Sequence, residues 1–303
     1  VTTLYEKAAH RAVEWLLDHT PPEDVAAHYK APALFCLAGY PREAQRRLDF
    51  IESRFGTDDG DFVTEPGIKS HNENFQEFWC YPNGWIALAA HRRGAFVLAR
   101  RAYRHLLTYE APAGGCCANR LGIPDALTTA HLGCVALQLG DVTTARDAGR
   151  WLSALLGQQT GPEFRVRGLL EDTSLLHVVR PDVPDQAYFM LGYPMAFLAK
   201  LHQVTGAPDA LAAAKGYAEY AFACGDNLVT SLQAHKVAWG AAVLARTTGE
   251  RRYAELATAI ADNLMATQAA DGSWSPDKPP INHFDDTAEV ALWLLEISAD
   301  LAD

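Results

Sequence analysis

Near its C-terminal end the chain reads INHFDDTAEVALWLLEI, residues 281–297. His283, Asp285, Asp286 and Glu289 crowd the mouth of an apolar helical run. Carboxylates and imidazoles are the groups that move protons near neutral pH. The local pattern DTAE fits a capping box, with Asp286 as N-cap and Glu289 three positions on. That leaves Asp285 outside the box, as the carboxylate expected to line an interior site. At a helix N-terminus the backbone dipoles favour negative charge, so both aspartates are expected to titrate low unless burial or their mutual repulsion wins. Any general acid then falls to a nearby imidazole or phenol: His283, His71 or Tyr188.

A second concentration lies in HNENFQEFWCYPNG, residues 71–84, which is too rich in polar and aromatic groups for a plain connector. The candidate catalytic residues are Asp285, His283, His71, Glu73, Asp125, Tyr188 and His235. Glu77, His131, Asp172, His177, Asp185 and Lys236 stand in comparable places in the chain. The candidate substrate-binding residues are Phe75, Trp79, Tyr81, Trp85, Tyr193, Trp239 and Phe284. Taken singly, His131 and His235 read more readily as satisfied buried histidines, and each aromatic as core. What carries information is their grouping in the segments that precede apolar helices. An aromatic pocket with a few polar groups suits an apolar or carbocyclic substrate, and also the flat face of a sugar.

Several classes of chemistry lack their signatures. There is no G-x-G-x-x-G or G-x-x-x-x-G-K-[ST], so no nucleotide cofactor is indicated, and no other cofactor is expected. There is no G-x-S-x-G elbow. Cys80, Cys116 or Cys117, and His131 are donors a zinc ion would accept, but their spacing is not a finger pattern, and no tightly bound metal is expected. The net charge is −11, with Lys and Arg scattered, so neither nucleic acid nor an anionic membrane is an expected partner. The N-terminal VTTLYEKAAHRAVEWLLDHT is charged throughout, and no apolar run approaches the roughly 18 residues of a membrane span. The six cysteines read as thiols in a reducing, cytoplasmic setting. The expected partner is a small-molecule substrate; nothing in the sequence bears on oligomeric state.

The elements that must position these residues repeat. An apolar run ends in Gly, a short turn follows, and an amphipathic Ala/Arg-rich run begins. The pattern occurs five times, turning at Gly39, Gly94, Gly140, Gly206 and Gly249. Gly closes a helix in the left-handed conformation at little cost, and Pro or Asp then suits the next helix start. Fixed hairpins with variable connections mark a helical array. The helix before each Gly is apolar nearly all round, as in LTTAHLGCVALQLG, and should lie inside; the helix after it has one polar face and should lie outside. With the first helix, Thr3 to about His19, paired to a last helix from Asp286 to about Ala302, the array becomes six hairpins. The expectation is one all-α domain over residues 1–303, an (α/α)6 toroid. The long connections then all lead into inner helices, and binding sites favour long loops over a rigid scaffold.

The repeat resembles the (α/α)6 toroids shared by terpenoid cyclases and protein prenyltransferases, by six-hairpin glycosidases and by lanthipeptide cyclases. QAADGSW, residues 268–274, is similar to the Q-x-x-D-G-x-W repeat of the terpenoid-cyclase group, and occurs once. FWCYPNG, residues 78–84, is similar to the W-C-Y-G zinc segment of lanthipeptide cyclases, without the later Cys-His-Gly. The resemblance implies an architecture and no particular reaction.

The expected function is an enzyme without a nucleotide cofactor, using carboxylate and imidazole acid–base chemistry on a small, largely apolar substrate. Cyclases, isomerases and lyases of terpenoid- or polyketide-like skeletons work this way. A glycoside hydrolase or lyase using two carboxylates is the alternative enzyme. A non-catalytic helical binding scaffold is the alternative outside catalysis.

Overall fold

A computed structural model of the chain describes residues 3–112, 114–168 and 176–302. It is built from helices: α1 (Leu4–Asp18), α2 (Ala31–Leu37), α3 (Pro41–Phe55), α4 (Asn74–Glu77), α5 (Tyr81–Arg93), α6 (Phe96–Leu107), α7 (Ala126–Leu139), α8 (Val142–Gly157), α9 (Phe189–Thr205), α10 (Pro208–Ala223), α11 (Gly225–Val229), α12 (His235–Thr248), α13 (Arg251–Ala266) and α14 (Pro280–Leu301). The sheet among the described residues is a two-residue antiparallel pair, β1 (Phe164–Arg165) and β2 (Val178–Val179), with Phe164 opposite Val179. The helical hairpins are those of the α/α-toroid class that the repeat predicts.

Local signals set the helix ends. Thr3 and Glu6 form a reciprocal capping box at the start of α1. Asp125 and Asp141 accept the backbone N–H three residues on and so cap α7 and α8. Pro41 and Pro208 stand in first turns, where a missing N–H costs nothing. The five turning glycines have φ between 70° and 86°, the left-handed closure expected of them.

Burial separates two kinds of helix. α7 buries every residue from Ala126 to Gly133, and α12 every residue from His235 to Leu244. α8 and α13 bury one stripe each, Ala145–Ala148–Leu152–Leu155 and Tyr253–Leu256–Ile260–Leu264.

The helices cluster into two compact units. One comprises Val1–Glu110, Ala118–Gly122 and Thr267–Leu295; the other comprises Ala111–Cys117, Ile123–Ala266 and Glu296–Asp303. In the first unit α1 packs on α14, as expected of the first and last helices: the Trp15 ring lies 4.7 Å from Phe284 and 4.5 Å from His283. The QAADGSW segment serves this junction. Gln268 Nε2 donates to the carbonyls of Ala8 and Gly272, and buried Trp274 exchanges backbone hydrogen bonds with the Thr287 hydroxyl on α14. In the second unit α9 and α12 approach at Gly192, where a Cβ would stand 2.2 Å from the Lys236 carbonyl carbon.

Candidate active site

The site grows from where α14 begins. Pro280 opens the helix, six residues earlier than the DTAE pattern implies, because proline's fixed φ suits a first turn. Asp285 and Asp286 are therefore inside the helix, and the expected capping box does not form. Asp286 pairs instead with Lys278, Nζ to Oδ2 2.7 Å. With 3.6 residues per turn, Asp285, Glu289 and Trp293 fall on one stripe of α14.

That stripe meets Lys30, the residue before α2 and only 3% exposed. Lys30 Nζ lies 2.5 Å from Glu289 Oε2, as a hydrogen bond, and 2.9 Å from Asp285 Oδ1. The second contact is at ion-pair distance but off the direction of a hydrogen bond, and Asp285 Oδ1 is a buried oxygen with no hydrogen-bond partner. Glu289 takes another donor on its other oxygen, the indole N–H of Trp293 at 3.3 Å. Tyr29, fully buried, adjoins Asp285, Glu289 and Tyr81.

Charge burial shapes the titration of this group. Burial pushes Asp285 up to about 7, against the pull of Lys30; the negative charges of Glu289 and Asp286 push the same way as burial. For Asp285 the exception holds: burial wins over the helix terminus, because its carboxyl is inside the protein rather than at a helix end. The corollary that the acid must be an imidazole or phenol then falls. A carboxyl near 7 is populated in both forms at neutral pH and can give or take a proton. Burial pulls Lys30 down, but Asp285 and Glu289 outweigh it and hold the ammonium above its ordinary value. Burial raises the Tyr29 phenol, and the two carboxylates raise it further.

An aromatic circuit runs round this cluster. Tyr29 meets Phe75 edge-on at 5.6 Å and Tyr81 at 6.2 Å; Tyr81 meets Trp85 at 6.4 Å, and Trp85 meets Trp293 at 5.5 Å. Trp293 returns to Glu289 by its hydrogen bond, and Lys30 Nζ lies 5.0 Å from the Tyr29 ring centroid. Phe75 and Tyr81 thus meet Tyr29, and Trp85 meets Tyr81 and Trp293. Lys30, Tyr29, Glu289 and Trp293 complete the group. The one signal of Lys30 in the sequence is a lone cation, HYKAPALF, at the mouth of an apolar helix.

The other candidates lie elsewhere in the same unit or in the second one. His71 is exposed and bridges two carboxylates, Nδ1 to Asp24 at 3.1 Å and Nε2 to Glu65 at 3.6 Å. Glu73 is exposed. His283 and Phe284 pack on Trp15; burial lowers the His283 pKa, and its Nε2 is buried without a hydrogen-bond partner. Trp79 donates to Asp61 Oδ2 at 2.8 Å, within a buried network in which Lys69 Nζ reaches Asp61 at 2.5 Å and Asn83 at 2.8 Å. In the second unit Asp125 caps α7, also bonding the Thr128 hydroxyl, and burial raises its pKa. The Tyr188 hydroxyl donates to the Val183 carbonyl. His235 Nδ1 donates to the Leu232 carbonyl and Nε2 lies 3.0 Å from Lys236 Nζ. Tyr193 bonds His131 Nδ1 at 2.7 Å and stands edge-on to Trp239 at 5.4 Å. Asp172 lies outside the described residues. Among the described residues no group of three His, Cys, Asp or Glu side chains is arranged to hold a metal ion, and no helix is long and apolar enough to cross a membrane. All six cysteines are thiols.

No protein-family model matches the chain, and no curated protein matches it. Solved structures do. The GH76A α-1,6-mannanase from Salegentibacter sp. HEL1_6 aligns with TM-score 0.67 and 14% identity, covering 98% of this chain and 99% of that one. A family 76 glycoside hydrolase from a bovine Bacteroides thetaiotaomicron strain aligns with TM-score 0.65 and 15% identity, covering 98% and 78%. The type II terpene cyclase MstE from Scytonema, as an R337A variant with geranylgeranyl dihydroxybenzoate, aligns with TM-score 0.63 and 12% identity, covering 98% of each. At these identities the likeness is one of fold. The chain has an (α/α)6-toroid-like fold, like that of both the glycoside hydrolases and the terpene cyclase.

Proposed function

We propose that the protein is an acid–base enzyme acting on a small, largely apolar substrate, a cyclase, isomerase or lyase, with Lys30, Asp285 and Glu289 as its polar centre. What supports this is a buried cluster in which Lys30 meets both Asp285 and Glu289, beside Tyr29, whose ring meets Phe75 and Tyr81, and Trp293, whose ring meets Trp85. Aromatic faces favour positive charge as it develops on a substrate, and they offer an apolar molecule its contact area. The Asp285 carboxyl supplies or removes the proton; Lys30 keeps the centre from accumulating negative charge.

The fold is equally that of mannan-degrading enzymes, and two carboxylates lie close together here. A glycosidase needs its two carboxyl groups to flank the scissile bond, with the sugar between them. At Asp285 and Glu289 the ammonium of Lys30 occupies that intervening position. The pair is therefore better suited to proton exchange with an apolar molecule than to glycosyl transfer.

The test is a product screen by mass spectrometry, with purified protein offered linear polyprenyl alcohols, polyprenylated aromatics and α-1,6-mannooligosaccharides. Isomerised or cyclised apolar products, lost in Asp285→Asn, support the proposal. Cleavage of the oligosaccharides, with the apolar compounds returned unchanged, overturns it.

A further inference from the structure

Within the acid–base reading just given, on which this inference rests, two carboxylates share one ammonium, and their surroundings differ. Glu289 receives two donors, Lys30 Nζ at 2.5 Å on one oxygen and the Trp293 indole N–H at 3.3 Å on the other. Asp285 receives the same ammonium off the hydrogen-bond direction, and its Oδ1 has no donor. Donors aimed at a carboxylate favour its ionised form, and a carboxylate short of donors in a buried place favours the proton. We propose that Glu289 is a positioning residue that stays ionised and holds Lys30 to itself, and that this makes Asp285 the one carboxyl of the cluster that gains and loses the proton.

Among the described residues, the charged and titratable groups that act most strongly on Asp285 fit the assignment. From the segment before α2 come Lys30 and Tyr29; from α14 come Asp286 and Glu289; Tyr81 on α5 stands beyond Tyr29. Lys30 is the cation among these, hydrogen-bonded to Glu289 and at ion-pair distance from Asp285. Removing the negative charge of Glu289 frees that cation for Asp285 and deletes a repulsion, so Asp285 should then ionise more readily. Removing Lys30 should do the opposite. A merely structural role for Glu289 and Lys30 would not give shifts of opposite sign.

The experiment is infrared difference spectroscopy of the whole protein, titrated from pH 5 to pH 9, with 13C placed in the side-chain carboxyl of either all aspartates or all glutamates. Asp125 is a second buried aspartate with a raised pKa, so the work is done in an Asp125→Asn background, which keeps that cap's acceptor oxygen. The expected result is a protonated-carboxyl C=O band that fades as pH rises towards 8, shifts with the aspartate label, and is missing when Asp285→Asn is added. Adding Glu289→Gln should move its midpoint down by about one pH unit or more, and adding Lys30→Gln should move it up by about as much. A band that shifts with the glutamate label, or survives Asp285→Asn, or keeps its midpoint in Glu289→Gln overturns the proposal. The two labels decide the matter without Glu289→Gln or Lys30→Gln, should those fail to fold. No substrate enters the measurement, so a protein that fails the product screen can still pass here, and the reverse.

Discussion

Lys30 Nζ lies 2.5 Å from Glu289 Oε2, joining residues 259 positions apart in the chain. Both side chains are buried, so each carries the cost of leaving water and recovers it only through the other. Lys30→Ala leaves the Glu289 carboxylate inside the protein without its cation and should destabilise it by about 3–5 kcal/mol. The double variant Lys30→Met with Glu289→Leu removes both charges and should cost markedly less than Lys30→Ala alone. Urea unfolding of the two proteins checks the order; a double variant less stable than the single one would contradict it.

The Asp285 carboxyl gives stability a pH dependence of defined sign. Its ordinary value is about 3.9, and in the folded protein burial lifts it to about 7. Between those values the folded form binds a proton that the unfolded chain does not. The contribution of Asp285 to stability therefore falls as pH rises from about 4 to about 7, and is level above that. Asp285→Asn lacks this dependence. Its melting temperature relative to the parent protein should rise between pH 5 and pH 8, and a constant difference would contradict the burial of an ionisable group there.

Those two residues also show what was readable in the chain. The hairpin turns were legible because a left-handed Gly at a helix end is a local event, written in a few consecutive residues. That Tyr81 and Trp85 stand one helical turn apart was legible; their contacts with Tyr29 and Trp293 join distant segments and were not. The start of α14 was not: DTAE competes with Pro280 as a helix-start signal, and proline at the first turn wins. Nor was Lys30 legible as a partner of Asp285 and Glu289, since nothing local links residue 30 to residue 289. The raised Asp285 follows from that same miss, because a cap carboxylate and a buried one shift in opposite directions.

The approach of α9 and α12 depends on Gly192, whose missing Cβ leaves room for the Lys236–Val237 backbone. A methyl group there meets main-chain atoms, which cannot rotate away. Gly192→Ala should destabilise the protein by about 1–3 kcal/mol or more, despite the better helix propensity of alanine. Thermal unfolding decides it; an unchanged or raised melting temperature would show that the helices can separate without penalty.

Asp125 caps a helix, and Asp286, which the DTAE pattern makes a cap, pairs with Lys278 instead. Asp125 caps α7 through the Thr128 N–H at 2.8 Å, so Asp125→Ala should cost about 1–2 kcal/mol and Asp125→Asn much less. Asp286 pairs with half-exposed Lys278, so Asp286→Ala should cost no more than about 1 kcal/mol. Chemical denaturation of the three variants tests the ranking, which a cost for Asp286→Ala above that of Asp125→Ala would reverse.

The central claim is that Asp285 exchanges a proton with an apolar substrate. It is tested most directly by running the reaction of any apolar compound found to turn over in D2O and following solvent deuterium by mass spectrometry, in the parent protein and in Asp285→Asn. Solvent deuterium should enter the product or the recovered substrate with the parent protein, and Asp285→Asn should lower that rate by about a hundredfold or more while remaining folded. Deuterium uptake at the parental rate in a folded Asp285→Asn protein would contradict the account.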